Sequence, residues 1–370
     1  MNDENNVAVT FVMWGLGGSG GELLIYKLAN RLLKDGISVA FASIVGYGYK
    51  EKELRNFNTY VRIQPKLQRI YFSLQYILEH KGVFTFPLLK LLFFINTQNL
   101  SKIVRETGGK RIIATSFYTA KAAHKCGGRY HLVQDTFEMF ANGPAAKFRK
   151  YEMEKAFSLP LTKLCVSKYL MEEVYKYSKD VIYIGNFISD SFHECQADMP
   201  SNRKRIILTI ARPGYNKGFD IFVKAMNELL KKRNDFEIHV INHKDSPLPI
   251  PFKYVGHGRV SEKELIKLYS SAYIFVFPSR AEGLGLPPLE AMACKTPVVL
   301  TDNGGSREYA INRYNSIIVP REDYKGLANA VSELLDNPEL ADYLAKNGIN
   351  TVKNYRFSDF YCRFRKAVEL

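Results

Sequence analysis

The stretch VAVTFVMWGLGGSGGELLIYKLANRLLKDGISVAFASIV, residues 7–45, decides the fold of the first half of the chain. Its first nine residues form an apolar run that is typical of a buried strand, and a glycine-rich loop follows. The amphipathic segment at residues 23–36 predicts a helix that ends at Gly36. A second apolar run at residues 37–45 predicts another strand. This strand–helix–strand order predicts a parallel sheet covered by helices.

The rest of the chain repeats the alternation of strands and helices. Further strands are predicted at residues 111–116, 129–135, 163–167 and 181–186. A second series begins with KRIILTIA, residues 204–211, which precedes the loop RPGYNKG and the helical segment FDIFVKAMNELLKKR. The sequence therefore predicts an α/β protein with two doubly wound domains that face each other across a cleft. Such clefts lie at the carboxyl ends of strands and bind ligands.

The predicted domain boundaries follow the change from the first series to the second. The N-terminal domain takes residues 1–190, a polar linker takes residues 191–203, and the second domain takes residues 204–352. The last segment, residues 353–370, is predicted to be a helix that packs back toward the N-terminal domain. A chain of 370 residues is longer than a domain with a single hydrophobic core usually is, which agrees with two domains.

Composition favours a folded protein with reduced thiols. The five cysteines are scattered and never have CxxC spacing, a pattern that suits a cytoplasmic protein rather than a disulfide or zinc framework. The acidic N-terminus runs directly into an apolar strand, so no signal peptide is expected. No run reaches the roughly 20 apolar residues of a membrane span.

Positive charge is concentrated in one stretch. Residues 51–150 hold 17 Lys/Arg and 6 Asp/Glu, which gives +11 of the formal net charge of +15. The segments QRIYFSLQYIL (68–78) and VFTFPLLKLLFFI (83–95) combine basic and aromatic residues, as in proteins that sit on anionic lipid. The competing interpretation is a pair of core helices with solvated basic faces. No nucleic-acid module signature is present, and no nucleic-acid partner is expected.

The first loop satisfies G-x-G-x-x-G by letter, from Gly15 to Gly20. A dinucleotide site also needs an acidic residue near the end of the second strand, and none is present there. No GxxxxGK[ST] motif occurs either. The glycines instead allow a ligand or another backbone to approach a helix N-terminus closely, with a merely tight turn as the alternative.

Two cations follow the first strand of the second series. Arg212 and Lys217 flank PGYN at a strand end, a pattern that suits a pyrophosphate, although solvated surface cations are the alternative. In the stretch EGLGLPPLEAM, Glu282 lies in a loop and Glu290 about one turn into a helix that Pro287 can open. Ionised carboxylates accept hydrogen bonds from sugar hydroxyls. A glycosidase-like acid and base pair is the competing interpretation, but it leaves the two cations unexplained.

Polar residues also follow other predicted strands. Asp302, Asn303 and a Gly-Gly turn follow the strand TPVVLTD of the second series. In the first half, Gln134 and Asp135 end the strand RYHLVQD and are expected to face the same cleft.

The segments ILTIARPGYNKGFDIFVKA, YVGHGRVSEKELIKLYSSAYIFVFPSRAEGLGLPPLEAMACKTPVVLTDNGGSREYA and NSIIVPRED resemble the C-terminal half of retaining GT-B glycosyltransferases of family four, the group 1 glycosyltransferases. The resemblance covers residues 204–340, and E-x7-E within P-S-x-x-E-G-x-G is its most specific element. Over residues 1–190 it rests on the glycine-rich loop, the VQD strand end and VSKYLMEEV…VIYIGNF. The VQD form is similar to that of bacterial members that build cell-surface polysaccharides. The resemblance implies a GT-B fold with two Rossmann-like domains.

The resemblance also implies a role for each site residue. Arg212 and Lys217 would bind the donor diphosphate and stabilise the leaving group, Glu282 would bind the donor sugar, and Glu290 would hold the ribose. The other implied donor-binding residues are Gly283, Leu284, Gly285 and Leu286 after Glu282, Gly256 and His257 near the base, and Gly17 and Gly18 from the other domain. The acceptor would dock mainly on the N-terminal domain.

The implied activity is transfer of a hexose, with retention, from a nucleotide-diphosphate sugar to a saccharide or lipid-linked acceptor in cell-surface glycan synthesis. No cofactor and no metal are expected, because Arg and Lys neutralise the diphosphate. The departing phosphate oxygen would take the acceptor proton, so catalysis would rest on positioning and electrostatics. The protein is expected in the cytoplasm, peripheral on the inner face of the cell membrane. The alternatives are another GT-B enzyme, such as a sugar-nucleotide epimerase or phosphorylase, and a non-catalytic transferase partner.

The chain departs from the family pattern at two places. Many members have a histidine where Gln134 and Asp135 stand, and His131 comes three residues too early. Asp135 is therefore the predicted catalytic contact from the N-terminal domain. The usual CGTPVV is CKTPVV in this chain, and Lys295 is interpreted as a solvated cation at a helix end.

Overall fold

The structure is a computed structural model of the chain. It describes residues 7–16, 20–46, 60–63, 69–81, 86–242, 248 and 250–370. Gly17 and Gly18, both predicted to bind the donor, lie outside the described residues. The chain divides into two compact units: unit 1 comprises Met1–Ile184 and Arg363–Leu370, and unit 2 comprises Gly185–Cys362.

Unit 1 is built on a parallel sheet of seven described strands. They are β1 (Val9–Leu16), β2 (Val39–Gly46), β3 (Tyr60–Ile63), β4 (Arg111–Ala114), β5 (Tyr130–Val133), β6 (Thr162–Cys165) and β7 (Val181–Tyr183). Their order is β3-β2-β1-β4-β5-β6-β7, with every pairing parallel. Because helices cover the sheet, its strands are continuous apolar runs, and Phe11 and Phe41 are completely buried.

The helices of unit 1 connect these strands. They are α1 (Gly20–Lys34), α2 (Arg69–Lys81), α3 (Phe86–Thr107), α4 (Phe117–Lys125), α5 (Ala146–Ser158) and α6 (Lys168–Val174). The first strand–helix–strand unit predicted from sequence is present, with its boundaries shifted by up to three residues. Among the described residues, none of the helices combines the length and apolar character that crossing a membrane requires.

Unit 2 repeats the plan with a six-stranded parallel sheet. Its strands are β8 (Ile206–Ala211), β9 (Glu237–Asn242), β10 (Val255–Gly256), β11 (Ile274–Phe277), β12 (Val298–Thr301) and β13 (Ile317–Val319), in the order β10-β9-β8-β11-β12-β13. Its helices are α7 (Asp190–His193), α8 (Phe219–Leu230), α9 (Glu262–Ser271), α10 (Leu286–Ala293), α11 (Tyr324–Asp336), α12 (Pro338–Val352) and α13 (Phe357–Ala367). Successive residues of β8 enter different cores: Ile207 packs on one face of the sheet and Leu208 on the other.

The segment predicted as a linker has a different place in the structure. The division between the units falls at Ile184 and Gly185, so residues 191–203 lie inside unit 2. Phe192 of this segment is buried in the unit 2 core because α7 packs there. The polar composition of the segment suggested a linker, but one buried aromatic residue is enough to anchor it. At the other end of the chain, the division falls within α13, and Arg363–Leu370 belong to unit 1.

Lys295 has a backbone conformation that is unusual for a residue other than glycine. It follows Cys294, which caps the carboxyl end of α10, and its φ is +54°. Residues just after a helix often take this left-handed conformation, which glycine adopts without steric conflict. The side chain of Lys295 is half-buried at the helix end. The chain therefore carries backbone strain at this position, which a glycine would avoid.

Replacing Lys295 with glycine is expected to raise the free energy of unfolding by about 1 kcal/mol, because left-handed strain is removed. The melting temperature should rise by about 2–4 °C, the change expected for a unit of this size. The Lys295→Ala variant is the matched control, because it removes the ammonium group and keeps the strained Cβ. Thermal unfolding followed by circular dichroism would contradict this account if alanine stabilised the protein as much as glycine does.

Candidate active site

Three of the predicted site residues meet in unit 2. The carboxylate of Glu282 accepts hydrogen bonds from Nη2 of Arg212 at 2.7 Å and from Nζ of Lys217 at 3.0 and 3.1 Å. Ser279 donates its hydroxyl to the same carboxylate at 2.9 Å. Arg212 directly follows β8, and Glu282 comes five residues after the end of the neighbouring strand, β11. Parallel strands bring their carboxyl ends to one sheet edge, so the topology assembles this group.

Electrostatics keep Glu282 ionised. Burial alone would raise the pKa of this carboxyl, but Arg212 and Lys217 outweigh burial and hold the pKa below its ordinary value. A general acid in a glycosidase needs a raised pKa instead. The site is therefore a poor fit to the glycosidase interpretation and presents a compact cluster of two cations around one carboxylate.

Arg280 fixes the loop that carries the two cations. Its guanidinium donates to Asp220 at 2.7 Å through each of two nitrogens, to the backbone oxygen of Tyr215 at 2.7 Å, and to both carboxylate oxygens of Glu322. Its backbone N–H also donates to the oxygen of Asn216 at 2.8 Å. Arg280 thus ties the loop between β8 and α8 to the strand end that leads into Glu282. Ser279 and Arg280 belong to the P-S-x-x-E-G-x-G motif, but no spacing rule shows which loop a buried arginine will bind.

A second loop supports the segment from Glu282 to Leu286. The N–H of Glu282 donates to the oxygen of Asn303 at 3.1 Å, and the N–H of Gly305 donates to the oxygen of Glu282 at 3.2 Å. A Cβ on Gly305 would lie 2.5–2.6 Å from backbone atoms of Glu282, Gly283 and Leu284. The Gly-Gly turn noted in the sequence therefore permits close backbone contact between the two loops.

Glu290 lies on α10, whose first residues are Leu286 and Pro287. The hydroxyl of Tyr269 donates to Oε2 of Glu290 at 3.3 Å. The buried Tyr309 hydroxyl donates to the oxygen of Gly285 at 2.7 Å, and both Glu282 and Glu290 contribute to the raised pKa of Tyr309, after burial and Tyr355. The two carboxylates of EGLGLPPLEAM thus both lie near one buried tyrosine.

Gly256 and His257 lie at the carboxyl end of the edge strand β10. Nε2 of His257 is 3.0 Å from Nδ1 of His239 on β9, so one ring nitrogen donates and the other accepts. Burial lowers the pKa of His257, and the neighbouring His239 lowers it further. The ring of His257 is therefore expected to be neutral near pH 7, which suits hydrogen bonding to an uncharged group such as a nucleobase.

In unit 1, Gln134 and Asp135 follow β5 at the carboxyl edge of that sheet. Nε2 of Gln134 lies 3.4 Å from the backbone oxygen of Gly21, near the start of α1. Asp135 is half-buried and lies close enough to Tyr118 to contribute to the raised pKa of its hydroxyl, which burial dominates. His131 is buried within β5, and burial lowers its pKa to about 3, so its ring is neutral. His131 therefore does not take the place of the family histidine.

No cluster of three or more metal-ligating side chains occurs within the described ranges. The donors around Glu282 are cationic, and cations repel a metal ion. The residues present in unit 2 therefore fit an anionic ligand.

Comparison with known proteins shows what unit 2 is similar to in sequence. Residues 196–351 match the family model described as "Glycosyl transferases group 1". Unit 2 is therefore similar in sequence to group 1 glycosyltransferases. A curated relative is the N,N′-diacetylbacillosaminyl-diphospho-undecaprenol α-1,3-N-acetylgalactosaminyltransferase of Campylobacter jejuni, 27% identical over 55% of this chain and 54% of that protein. The chain spans about half the length of the curated relatives that it matches first.

Two solved structures share the fold over nearly the whole length of this chain. Sucrose-phosphate synthase from Thermosynechococcus elongatus is 14% identical, with a TM-score of 0.75 and coverage of 97% of both chains. HepE from Anabaena, in complex with UDP and glucose, is 13% identical, with a TM-score of 0.73 and coverage of 98% of this chain and 99% of that chain. At these identities the likeness shows the fold alone. The predicted GT-B fold, with two doubly wound Rossmann-like units, is confirmed.

Proposed function

We propose that the protein is a retaining glycosyltransferase of family four that moves a hexose from a nucleotide-diphosphate sugar to an acceptor. The cluster of Arg212 and Lys217 around Glu282 is the observation that carries this proposal. At the carboxyl edge of a doubly wound sheet, the guanidinium of Arg212 can donate two parallel hydrogen bonds to a diphosphate, and the ammonium of Lys217 supplies a single charged donor. The family match over residues 196–351 and the UDP complex of the structural neighbour HepE support the same assignment.

Each site residue then has a role that its surroundings allow. Arg212 and Lys217 bind the diphosphate and stabilise the negative charge that grows on it as the sugar leaves. Glu282 orients both cations and contacts the donor sugar beside the loop from Gly283 to Leu286. Glu290 accepts hydrogen bonds from the ribose, and Gly256 and His257 lie next to the base. Gly17 and Gly18 remain proposed contacts to the diphosphate.

The chemistry needs no protein nucleophile. The bond between the anomeric carbon and the diphosphate breaks, and the leaving oxygen takes the proton of the acceptor hydroxyl that attacks from the same face. Arg212 and Lys217 act through electrostatic stabilisation, the largest single contribution in many enzymes. Asp135 is the proposed contact from unit 1. The reaction is proposed to be independent of a metal, because the two cations already balance the charge of the diphosphate.

Donor turnover tests this function. The protein is incubated with a panel of nucleotide sugars and with lipid-linked and free saccharide acceptors, and release of the nucleoside diphosphate is measured. Release that depends on an acceptor supports the proposal, and the Glu290→Ala variant should lose most of it. Donor hydrolysis or epimerisation at the same rate without an acceptor would favour another GT-B enzyme. Absence of donor binding with every nucleotide sugar would favour a non-catalytic partner.

We propose a lipid-linked acceptor reached from the cytoplasmic face of the cell membrane. Two helices of unit 1 support this choice, because α2 and α3 each expose apolar side chains. They are Ile70, Leu74 and Ile77 on α2, and Leu88, Leu91 and Phe94 on α3, the last exposed at 56% of its full area. On each helix these residues are three or four positions apart, so they lie along one side of that helix. Nζ of Lys125 lies 5.5 Å from the centre of the Phe94 ring, and residues 51–150 account for +11 of the formal net charge of +15.

The double variant Leu91→Glu and Phe94→Glu is expected to lower binding to anionic vesicles at least about tenfold, because two charges would enter the lipid interface. Co-sedimentation with phosphatidylglycerol vesicles at low salt measures the effect. The matched control is Ile311→Glu, which charges an isoleucine of unit 2 that is 57% exposed. Equal sedimentation of all three proteins, or of none, would contradict the membrane proposal and leave the donor-site proposal standing.

A further inference from the structure

His257 lies at the same sheet edge as the two cations of the candidate active site. It directly follows β10, Arg212 directly follows β8, and β9 lies between these two strands. Gly256 and Thr209 both pair with Val240 of β9, so His257 and Arg212 lie within two residues of the same level along the strands. Two strand spacings separate β8 from β10 by about 10 Å, and an extended nucleoside covers a span of this order.

The ring of His257 also lies on the face of the sheet that α10 covers. Ile241 of β9 packs in the same core as Leu289 of α10. His239 comes two residues before Ile241, so its side chain is on that face as well, and its ring centre lies 5.0 Å from that of His257. The histidine pair therefore shares a face of the sheet with the helix that carries Glu290, the proposed ribose contact.

A chain of hydrogen bonds determines which nitrogen of His257 carries a proton. Nε2 of His239 lies 3.2 Å from Oε2 of Glu237, and Nδ1 of His239 lies 3.0 Å from Nε2 of His257. The carboxylate of Glu237 can only accept, so Nε2 of a neutral His239 ring donates to it and Nδ1 has no proton. Nε2 of His257 is then the donor to Nδ1 of His239.

Nδ1 of His257 is consequently a hydrogen-bond acceptor. A neutral imidazole carries one proton, and His257 uses that proton at Nε2. Burial lowers the pKa of His257 and His239 lowers it further, which keeps the ring neutral near pH 7. Within the described ranges no protein group is bonded to this Nδ1, and the side chain is only half-buried. The nitrogen is therefore available to a ligand.

We propose that Nδ1 of His257 accepts a hydrogen bond from the nucleobase of the donor, and so selects a base that presents an N–H at that place. Glu237 and His239 are positioning residues, because they set the acceptor character of His257 without touching the base. The inference rests on the proposed function, which has the diphosphate at Arg212 and Lys217. The other neighbour of β8 is β11, which leads into the loop proposed to hold the sugar, so the base extends toward β9 and β10.

Nucleobases of one ring type come in pairs that present opposite groups at the same positions. Uracil has an N–H at N3 and an oxygen at C4, whereas cytosine has an unprotonated N3 and an amino group at C4. Guanine and adenine differ in the same way at N1 and C6. An acceptor at a fixed place therefore prefers one base of a pair, and a donor at that place prefers the other.

Calorimetric titration at pH 8, above the ordinary imidazole pKa of about 6.5, compares UDP with CDP and GDP with ADP. The wild type should bind one member of a pair at least about fivefold more tightly, because the other leaves the hydrogen bond to His257 unmade. In Glu237→Lys an ammonium donates to Nε2 of His239, which moves the proton of each ring to the opposite nitrogen. Nδ1 of His257 then donates, and the preference should reverse.

Glu194→Lys is the matched control, because it makes the same change of charge at an exposed position of unit 2 and should keep the wild-type preference. Circular dichroism verifies that each variant folds. If Glu237→Lys does not fold, His239→Leu replaces it. That variant leaves His257 free to take either tautomer, so the preference should fall to within about twofold.

The results separate this inference from the proposed function. Equal binding of both members of each pair by the wild type, or a preference that Glu237→Lys or His239→Leu leaves unchanged, would overturn the inference. Tighter binding of the diphosphates than of the matching monophosphates would still support the proposed function in that case. Failure of all four nucleoside diphosphates to bind would contradict both.

Discussion

Replacing Arg212 or Lys217 with alanine should lower kcat/KM for the nucleotide-sugar donor by about 10²–10³-fold, the usual loss when one electrostatic stabiliser of a leaving group is removed. Each variant deletes one of the two cations that surround Glu282. Loss of either cation weakens binding of the diphosphate and raises the energy of the charged transition state. Steady-state release of the nucleoside diphosphate measures the change, with circular dichroism to verify folding.

Matched variants show whether the loss of turnover is specific to the candidate site or follows from the removal of any positive charge. Lys231→Ala also removes one positive charge from unit 2, but Lys231 is an exposed partner of Glu228, so turnover should stay unchanged. Arg212→Lys keeps the charge and loses the fork, so it should recover only part of the activity. Turnover of Arg212→Ala and Lys217→Ala within about threefold of the wild type would remove the basis of the assignment.

The same variants predict a change in acid stability. The folded-state pKa of Glu282 lies below its unfolded value, so its contribution to stability is full above the unfolded pKa and is lost as pH falls through the folded one. Removal of Arg212 raises the folded pKa toward the unfolded value, so the loss of stability in acid urea unfolding should be smaller than in the wild type and complete at a higher pH.

The second large effect is expected for Gly218→Ala. Gly218 follows Lys217 and opens α8 in the left-handed conformation, with φ of +62°, and an added Cβ would overlap the carbonyl oxygen of Pro278. Left-handed strain and overpacking together should lower the free energy of unfolding by about 3 kcal/mol or more. Relief of the overlap would also move the loop between β8 and α8, residues 212–218, away from Ser279 and Glu282. This cation loop carries Arg212 and Lys217, so donor turnover should fall as well.

Gly36→Ala is the matched control for Gly218→Ala. Gly36 has φ of +77°, and its Cβ would meet no atom within 4 Å, so the control measures left-handed strain alone. It should lower stability by about 1–2 kcal/mol and leave turnover unchanged. Equal destabilisation by the two variants in urea unfolding would show that close packing against Pro278 is not what holds the cation loop.

The elements that positioned the site could be predicted because their signals are local. The apolar run of β8, the loop RPGYNKG and the amphipathic α8 lie in sequence order, and parallel strands bring their carboxyl ends to one edge. The proximity of Arg212, Lys217 and Glu282 followed from that rule together with the family resemblance. The linker at residues 191–203 was misplaced because a polar composition does not show that Phe192 will be buried.

The contacts that could not be predicted depend on pairs far apart in sequence. Arg280 binds Asp220 and Glu322, which are 60 and 42 residues away, and no periodicity links them. The left-handed backbone of Lys295 breaks the preference that makes glycine usual at that position. Both features depend on tertiary packing within unit 2, which a local sequence pattern does not show.

Calorimetric titration of the wild type with a nucleoside diphosphate and with the matching monophosphate tests the central claim most directly. UDP and UMP form the first pair, and GDP with GMP and dTDP with dTMP follow. Contacts of Arg212 and Lys217 with the second phosphate predict that one diphosphate binds at least about tenfold more tightly than its monophosphate, a difference of about 1.4 kcal/mol. This preference should disappear in Arg212→Ala. Equal affinity for the two phosphates, or an unchanged preference in the variant, would contradict the account.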